Sequence, residues 1–207
     1  MIAEVKRRSP SKGDLAVGLD PADLATRYEQ GGAACMSVLT DESFFGGSGD
    51  DLRLARSACS MPVLRKDFTV CLADVFDARV MGADCLLLIV AALSDSELKQ
   101  FHSAAVGVGL DVLVEIHDEA ELDRALAAGA TLVGVNQRDL VTFEVDTDRA
   151  VRMAALIPDG VLKVAESGIR CRDDALVLRD AGYDGLLVGE TLVRSADPTQ
   201  AVKELLP

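Results

Sequence analysis

Positive charge is the scarcest resource in this sequence. Lysine and arginine total 21 against 34 aspartates and glutamates, for a net charge of −13 in 207 residues. With a pI near 4.5, electrostatic binding to nucleic acid or to an anionic membrane surface is excluded as a principal activity. Long hydrophobic runs are also missing. The longest, Cys85 to Leu93, has nine residues, about half of a membrane span. The five cysteines form no CxxC pair, which argues against a disulfide framework and a zinc site, and reads them as small core residues in a reducing compartment. No G-x-G-x-x-G follows an apolar run, which weakens a dinucleotide-binding reading. Strand-like sequence begins at Ile2, leaving no room for a secretory signal. No linker or low-complexity stretch divides the chain, so residues 1–207 read as one cytoplasmic domain.

What is present is a rhythm. Hydrophobic residues make up 49% of the sequence, enough for a sizeable core. Eight short runs rich in Val, Ile and Leu predict strands at 2–5, 35–39, 62–65, 84–90, 111–114, 131–135, 161–165 and 184–188. Without strict alternation, they read as strands buried on both faces of a parallel sheet. Helix punctuation lies between them. Asp20-Pro21 and Asp197-Pro198 pair an N-cap with an N1 proline. Ser94-x-x-Glu97 is a capping box, and Asp118-x-x-Glu121 reads as its aspartate variant. Leu24, Ala25 and Tyr28, and again Leu122, Ala125 and Leu126, form apolar stripes at helical spacing. Gly32, Gly82, Gly129 and Gly182 recur between helix and strand, where a left-handed C′ residue is needed. A βα unit repeating every 26 residues or so, eight times, predicts a single (β/α)8 TIM barrel, with a doubly wound open sheet as the competitor.

Active sites of such barrels lie at the carboxyl ends of the strands. Those ends carry Glu4 and Lys6, Thr40, Lys66, Glu115, Asn136, Glu166 with Ser167, and Gly189 with Glu190. Polar residues also mark where any strand meets solvent, but Lys6, Lys66, Glu115, Asn136 and Glu166 together converge on one mouth. Glu4 and Lys6, two apart on a strand, face the same side. His102 falls on a helix stripe and His117 just past a strand end. Neither has a partner implied by spacing, and neither is assigned chemistry.

Several blocks carry a family resemblance. They are Ile2-Ala3-Glu4-Val5-Lys6-Arg7-Arg8-Ser9-Pro10-Ser11, Pro62-Val63-Leu64-Arg65-Lys66-Asp67-Phe68, Leu86 through Leu93, and Val114-Glu115-Ile116-His117. Gly134-Val135-Asn136-Gln137-Arg138-Asp139-Leu140, Ala165-Glu166-Ser167-Gly168-Ile169 and Leu187-Val188-Gly189-Glu190 complete the set. In this order, and across essentially the whole chain, they resemble the indole-3-glycerol phosphate synthases of tryptophan biosynthesis. The resemblance implies ring closure of 1-(2-carboxyphenylamino)-1-deoxyribulose 5-phosphate, followed by loss of carbon dioxide and water. It implies no metal and no organic cofactor, and as partner a soluble phosphorylated substrate, with the protein a monomer or weak homodimer.

By the same resemblance, Lys66 is the general acid toward the ribulose carbonyl and Glu115 the second proton-transfer group. Lys6 contacts the substrate carboxylate, with a share in the acid's duties as its other reading, and sequence does not divide the steps between the two lysines; Glu4 and Glu166 orient the lysines, and Asn136 hydrogen-bonds substrate. A structural salt bridge is the other reading of Glu4 and Glu166. Ser9, Gly168, Gly189 and the backbone N–H of Glu190 match the phosphate site, with Ser167 beside them. There the Glu190 carboxylate has to turn away from the phosphate. Phe45, Phe68 and Leu87 match apolar walls for the anthranilate ring, and Arg138 a bidentate partner for its carboxylate. The substrate is anionic at both ends, so positive charge has to be concentrated locally. Lys6, Arg7, Arg8, Lys12, Lys66 and Arg138 are placed to supply it. A lysine among other cations and partly desolvated is expected to have a lowered pKa.

Family members usually carry a helical extension before the first strand, and the sequence here starts at that strand. Gln137 occupies a position where the family often has Asn or Ala and is assigned no role. Two rival readings stand beside the main one. The first is another phosphate-binding barrel isomerase, which lacks a reason for two strand-end lysines together with Glu115. The second is an inactive barrel kept as a binding module, against which the full set of candidate residues argues.

Overall fold

The computed structural model describes residues 1–139 and 141–206; Leu140, the last residue of one of the resemblance blocks, lies outside them. Its eight parallel strands are β1 (Ile2–Val5), β2 (Cys35–Leu39), β3 (Val63–Lys66), β4 (Cys85–Ile89), β5 (Asp111–Ile116), β6 (Leu132–Asn136), β7 (Leu162–Glu166) and β8 (Gly185–Val188). They hydrogen-bond in sequence order, and β8 returns to β1 to close a barrel. The chain is a (β/α)8 barrel, and the open-sheet alternative is excluded by that closure. Two strands match their predicted bounds and the other six differ by one or two residues at one or both ends. Two short pieces were not foreseen: a two-stranded ribbon of Arg8–Ser9 with Gly13–Asp14, and the one-turn helix Glu42–Phe45. Both lie on strand-end loops of the same mouth.

The core has two layers because strand residues alternate between faces. Ala3, Val38, Val63, Leu86, Val114, Val135 and Val188 face outward into the layer under the helices. Leu64, Leu87, Ile89, Leu113, Val164 and Leu187 fill the barrel lumen. The sequence stripes dock as expected: Leu24, Ala25 and Tyr28 are buried along helix Pro21–Gly31. The Tyr28 hydroxyl donates to the carbonyl of Glu4 (2.9 Å), pinning that helix to β1.

Asp20 and Asp197 cap their helices ahead of proline, and Ser94 and Glu97 form a reciprocal capping box. Gly32, Gly82, Gly129 and Gly182 all have φ between 93° and 96°. Asp118 does accept from Glu121 N–H (2.9 Å), but no box forms there. Glu121 instead accepts from the backbone N–H of His117 (2.7 Å), one residue too early. The cysteines are less buried than expected. Cys35, Cys59 and Cys85 are half-buried, whereas Cys71 and Cys171 are exposed at helix N-termini. Among the described residues no helix is long and apolar enough to cross a membrane.

Candidate active site

The carboxyl ends of the strands open into a cavity of about 990 Å³. Its floor is an alternating array of charges contributed by separate strands. Lys66, at the end of β3, places Nζ 3.0 Å from Glu115 Oε2 on β5 and 3.4 Å from Glu166 Oε2 on β7. Glu4 on β1 holds Lys6 at 2.6 Å. Asn136, ending β6, donates from Nδ2 to Glu115 Oε1 (3.0 Å), and its Oδ1 accepts from the Ser167 hydroxyl (2.9 Å) and the Arg138 N–H (3.0 Å). The side chains of Glu4, Glu115, Asn136 and Glu166 are buried, so each carboxylate is held chiefly by its neighbours and not by water.

Two glycines make this packing possible. A Cβ on Gly134 of β6 would overlap Glu166 Oε1, and one on Gly189 would overlap Glu4 Oε1 and stand 3.1 Å from Lys6 Nζ. Each glutamate occupies space that a side chain at the glycine would take.

Electrostatics here reverse one expectation. Lys66 is surrounded by carboxylates, not by cations. Burial alone would lower its pKa, but Glu115, Glu166 and Glu4 outweigh that and hold it above the ordinary lysine range. Glu115 is the mirror case: burial pushes its pKa up, yet Lys66, the Asn136 hydrogen bond and His117 bring it below the usual value. For Glu166 burial wins. With Glu115 and Glu4 adding repulsion against a single pull from Lys66, its pKa is pushed up to about 8.

The cavity walls include Phe45, Phe68 and Leu87. Phe68 stacks edge-on to Phe44 at 6.2 Å and tilted to Phe45 at 6.5 Å. Phe44 belongs to the short helix that sequence reasoning missed. The adjacent strand ends of β7, β8 and β1 carry a rim of Ser9, Ser167, Gly168, Gly189 and Glu190. Ser167 is left-handed, with φ 67°, a conformation that costs a non-glycine residue on the order of 1 kcal/mol. Gly168 follows at φ 75°, where a Cβ would stand 2.8 Å from Val145. The Glu190 carboxylate lies 3.7 Å from Arg194 Nε.

Not every expected cation reaches the cavity. Lys6, Lys12, Lys66 and Arg138 line it, joined by Arg170 and Arg194, which sequence reasoning did not single out. Arg7 is a structural strut. Its guanidinium pairs with Asp51 and also donates to the carbonyls of Gly46 and Leu19. Arg8 is spent on the carbonyls of Glu42 and Ser43.

Three further residues brace the site. Buried Arg65 donates to Thr40 Oγ1 (3.2 Å), Asp74 O (2.8 Å) and Asp67 Oδ2 (2.8 Å), fixing the turn that follows Lys66. Gln137, given no role by sequence, is buried and donates to the carbonyl of Ser167 (2.7 Å), holding the left-handed turn from behind. His117 has partners after all: Glu121 at 3.1 Å and Glu115 at 3.7 Å. The Glu121 contact is an i,i+4 spacing present in the sequence. The contact to Glu115 depends on how the chain leaves β5.

Acid–base groups converging from separate strands on the C-terminal mouth define a (β/α)8-barrel enzyme. Solved structures agree on the fold. A thiamine phosphate pyrophosphorylase from Pyrococcus furiosus superposes with a TM-score of 0.70 at 16% identity, covering 99% of this chain and 91% of its own. An N-acetylmannosamine-6-phosphate 2-epimerase from Clostridium perfringens gives 0.72 at 14%, covering 98% and 90%. Sequence relatives are far nearer. Indole-3-glycerol phosphate synthase of Mycolicibacterium gilvum is 53% identical over all of this chain and 76% of its own length, and that of Nocardioides sp. 54% identical over 99% and 79%. That of Polaromonas naphthalenivorans is 49% identical over 99% and 78%. Residues 1–205 match the family described as indole-3-glycerol phosphate synthase. The chain belongs to that family, the carboxy-lyases of tryptophan biosynthesis that act on a phosphorylated small molecule.

Proposed function

We propose the following division of labour for the synthesis of indole-3-glycerol phosphate in this cavity. The phosphate of the substrate sits on the rim of Ser9, Gly168, Gly189 and the Glu190 N–H, with Ser167 beside it. The anthranilate ring packs against Phe45, Phe68 and Leu87. Its carboxylate is met by Lys6 and Arg138. Strand order supports the orientation: Ser9, Gly168 and Gly189 follow the adjacent strands β1, β7 and β8, whereas Phe45, Phe68 and Leu87 belong to β2, β3 and β4 or the loops after them.

Lys66 acts on the ribulose carbonyl. As the ring carbon attacks, the carbonyl π electrons move onto oxygen, and Lys66 donates a proton to it. A lysine kept charged by flanking carboxylates is loaded as an acid at every working pH, and its cation stabilises the oxyanion as it forms. The carboxylate then leaves as carbon dioxide, its bonding pair restoring the aromatic ring. Glu115 serves the dehydration: it takes a proton from the methylene carbon beside nitrogen, the C–H electron pair becomes the new ring double bond of the indole, and the hydroxyl takes up a proton and departs as water. The lowered pKa of Glu115 leaves it ionised, and so free to accept a proton, at neutral pH. Glu4, Glu166 and Asn136 hold these groups in place. Residues 1–207 are read as one domain, a monomer or weak homodimer in the cytoplasm, where five free cysteines suit a reducing compartment.

The observation that carries this reading is the Lys66–Glu115 pair, 3.0 Å apart on the cavity floor. The test is turnover of the synthetic carboxyphenylamino substrate followed by indole fluorescence, in the parent and in Lys66→Ala. Product formation that depends on Lys66 supports the assignment. A folded variant turning over within about tenfold of the parent rejects it.

A further inference from the structure

We propose that His117 is a positioning residue for Glu115, bracing its carboxylate from outside the substrate cavity. His117 does not line that cavity. Its ring stands between two carboxylates: Nδ1 is 3.1 Å from Glu121 Oε2, and Nε2 is 3.7 Å from Glu115 Oε1. Nε2 is buried and makes no hydrogen bond among the described residues, and the carboxylate that stands at ion-pair distance from it is that of Glu115. Glu121 is itself fixed, accepting from His117 N–H while its own N–H is capped by Asp118. The ring is therefore anchored to the start of helix Glu119–Ala127 on one side and aimed at Glu115 on the other.

Glu115 already takes Lys66 on Oε2 and Asn136 on Oε1. A protonated imidazole adds a third restraint, on Oε1, that opposes rotation of the carboxylate when Lys66 gives up its proton. The charged groups facing the ring are Glu115, Glu121 and, opposing them, Arg149 of helix Asp148–Ala154. Burial favours the neutral ring, but the two carboxylates outweigh it, so the imidazolium persists above the ordinary histidine range. As pH rises through that raised value the positive charge is lost. The nearer contact to Glu121 keeps the remaining N–H, and a lone pair then faces Glu115.

The proposal rests on Glu115 as the proton-transfer group, and the experiment separates the two ideas. The sequence has two histidines, so imidazole proton resonances are assigned by comparison with His117→Asn. In the parent, His117 is expected to titrate above free imidazole, and in Glu115→Gln its midpoint falls by about half a unit or more, whatever happens to turnover. In kinetics, the parent's kcat is expected to decline as pH rises through the His117 titration, and His117→Asn lowers kcat about three- to tenfold at pH 6.5, leaves KM within about twofold and abolishes that decline. A midpoint unmoved in Glu115→Gln, or an alkaline limb kept by His117→Asn, overturns the proposal. Failure of Glu115 as the proton-transfer group would show separately, as normal turnover in Glu115→Gln with the His117 midpoint still shifted.

Discussion

The floor of the cavity and its phosphate-side rim are built in opposite ways. The floor is made of side chains. Lys66, Glu115, Glu166, Glu4 and Lys6 come from four different strands or their ends, with Lys66 held by Glu115 and Glu166 and Lys6 held by Glu4. The rim is made of backbone shape: the left-handed pair Ser167–Gly168, with Gln137 as its prop. The difference separates two kinds of dependence. Changing a floor residue alters which protons can move, whereas changing a rim residue alters where the substrate sits.

The sharpest test of that contrast is Lys66→Ala. Turnover is expected to fall by about three orders of magnitude or more, because the charge at the developing oxyanion is removed. The variant should also melt lower, more so at pH 8 than at pH 6. Without the ammonium, Glu115 and Glu166 face each other unpaired, and a buried carboxylate with a raised pKa loses stability as pH rises. Circular dichroism melts at the two pH values check this. An equal loss at both would mean that the carboxylates are relieved by water instead.

Glu115→Gln comes next. The amide keeps the shape and one of the two hydrogen bonds that Glu115 accepts from Lys66 and Asn136 but cannot transfer a proton, so kcat should drop about 10²–10⁴-fold with KM little changed. A raised KM at normal kcat would move Glu115 from the floor's chemistry to the rim's binding and break the comparison.

Gln137→Ala probes the rim. Losing one buried hydrogen bond frees the Ser167 carbonyl and relaxes a strained turn, and KM should rise about five- to tenfold with kcat within about twofold. Competition by inorganic phosphate, measured as an inhibition constant, should weaken in parallel. A fall in kcat alone would show that the turn sets the geometry of the floor as well.

The smallest expected effect is thermodynamic. Glu166 keeps its proton in the folded state up to about 8, while its ordinary value is 4.5. The native state therefore binds more protons than the unfolded one between those limits, and this group's contribution to stability declines as pH rises through the window. Glu166→Gln removes that part of the slope. Denaturant midpoints measured from pH 5 to pH 8 should decline less steeply in the variant than in the parent.

How much was legible in the sequence follows from the same division. Short runs rich in Val, Ile and Leu, glycine punctuation and aspartate–proline caps are local, and they specified eight strands, their order and the mouth at which Lys66, Glu115 and Asn136 emerge. The bounds slipped by a residue or two where flanking residues had ambiguous character, as at Asp84 and Val90. The Asp118–Glu121 box failed for a reason that spacing cannot express: Glu121 had a competing donor in the His117 backbone.

The sequence by itself thus determined the barrel, the family and the identity of the groups on the floor, since strand alternation decides which side chains point inward. Only the tertiary structure decided their charge states. A lysine reads as desolvated or as paired depending on which strands lie beside it across the barrel, and closure put Glu115 and Glu166, 49 and 100 positions away, against Lys66. It also decided the use of Gln137 and His117. Both act through contacts made after the chain has turned away from its strand, where direction is set by packing and not by period.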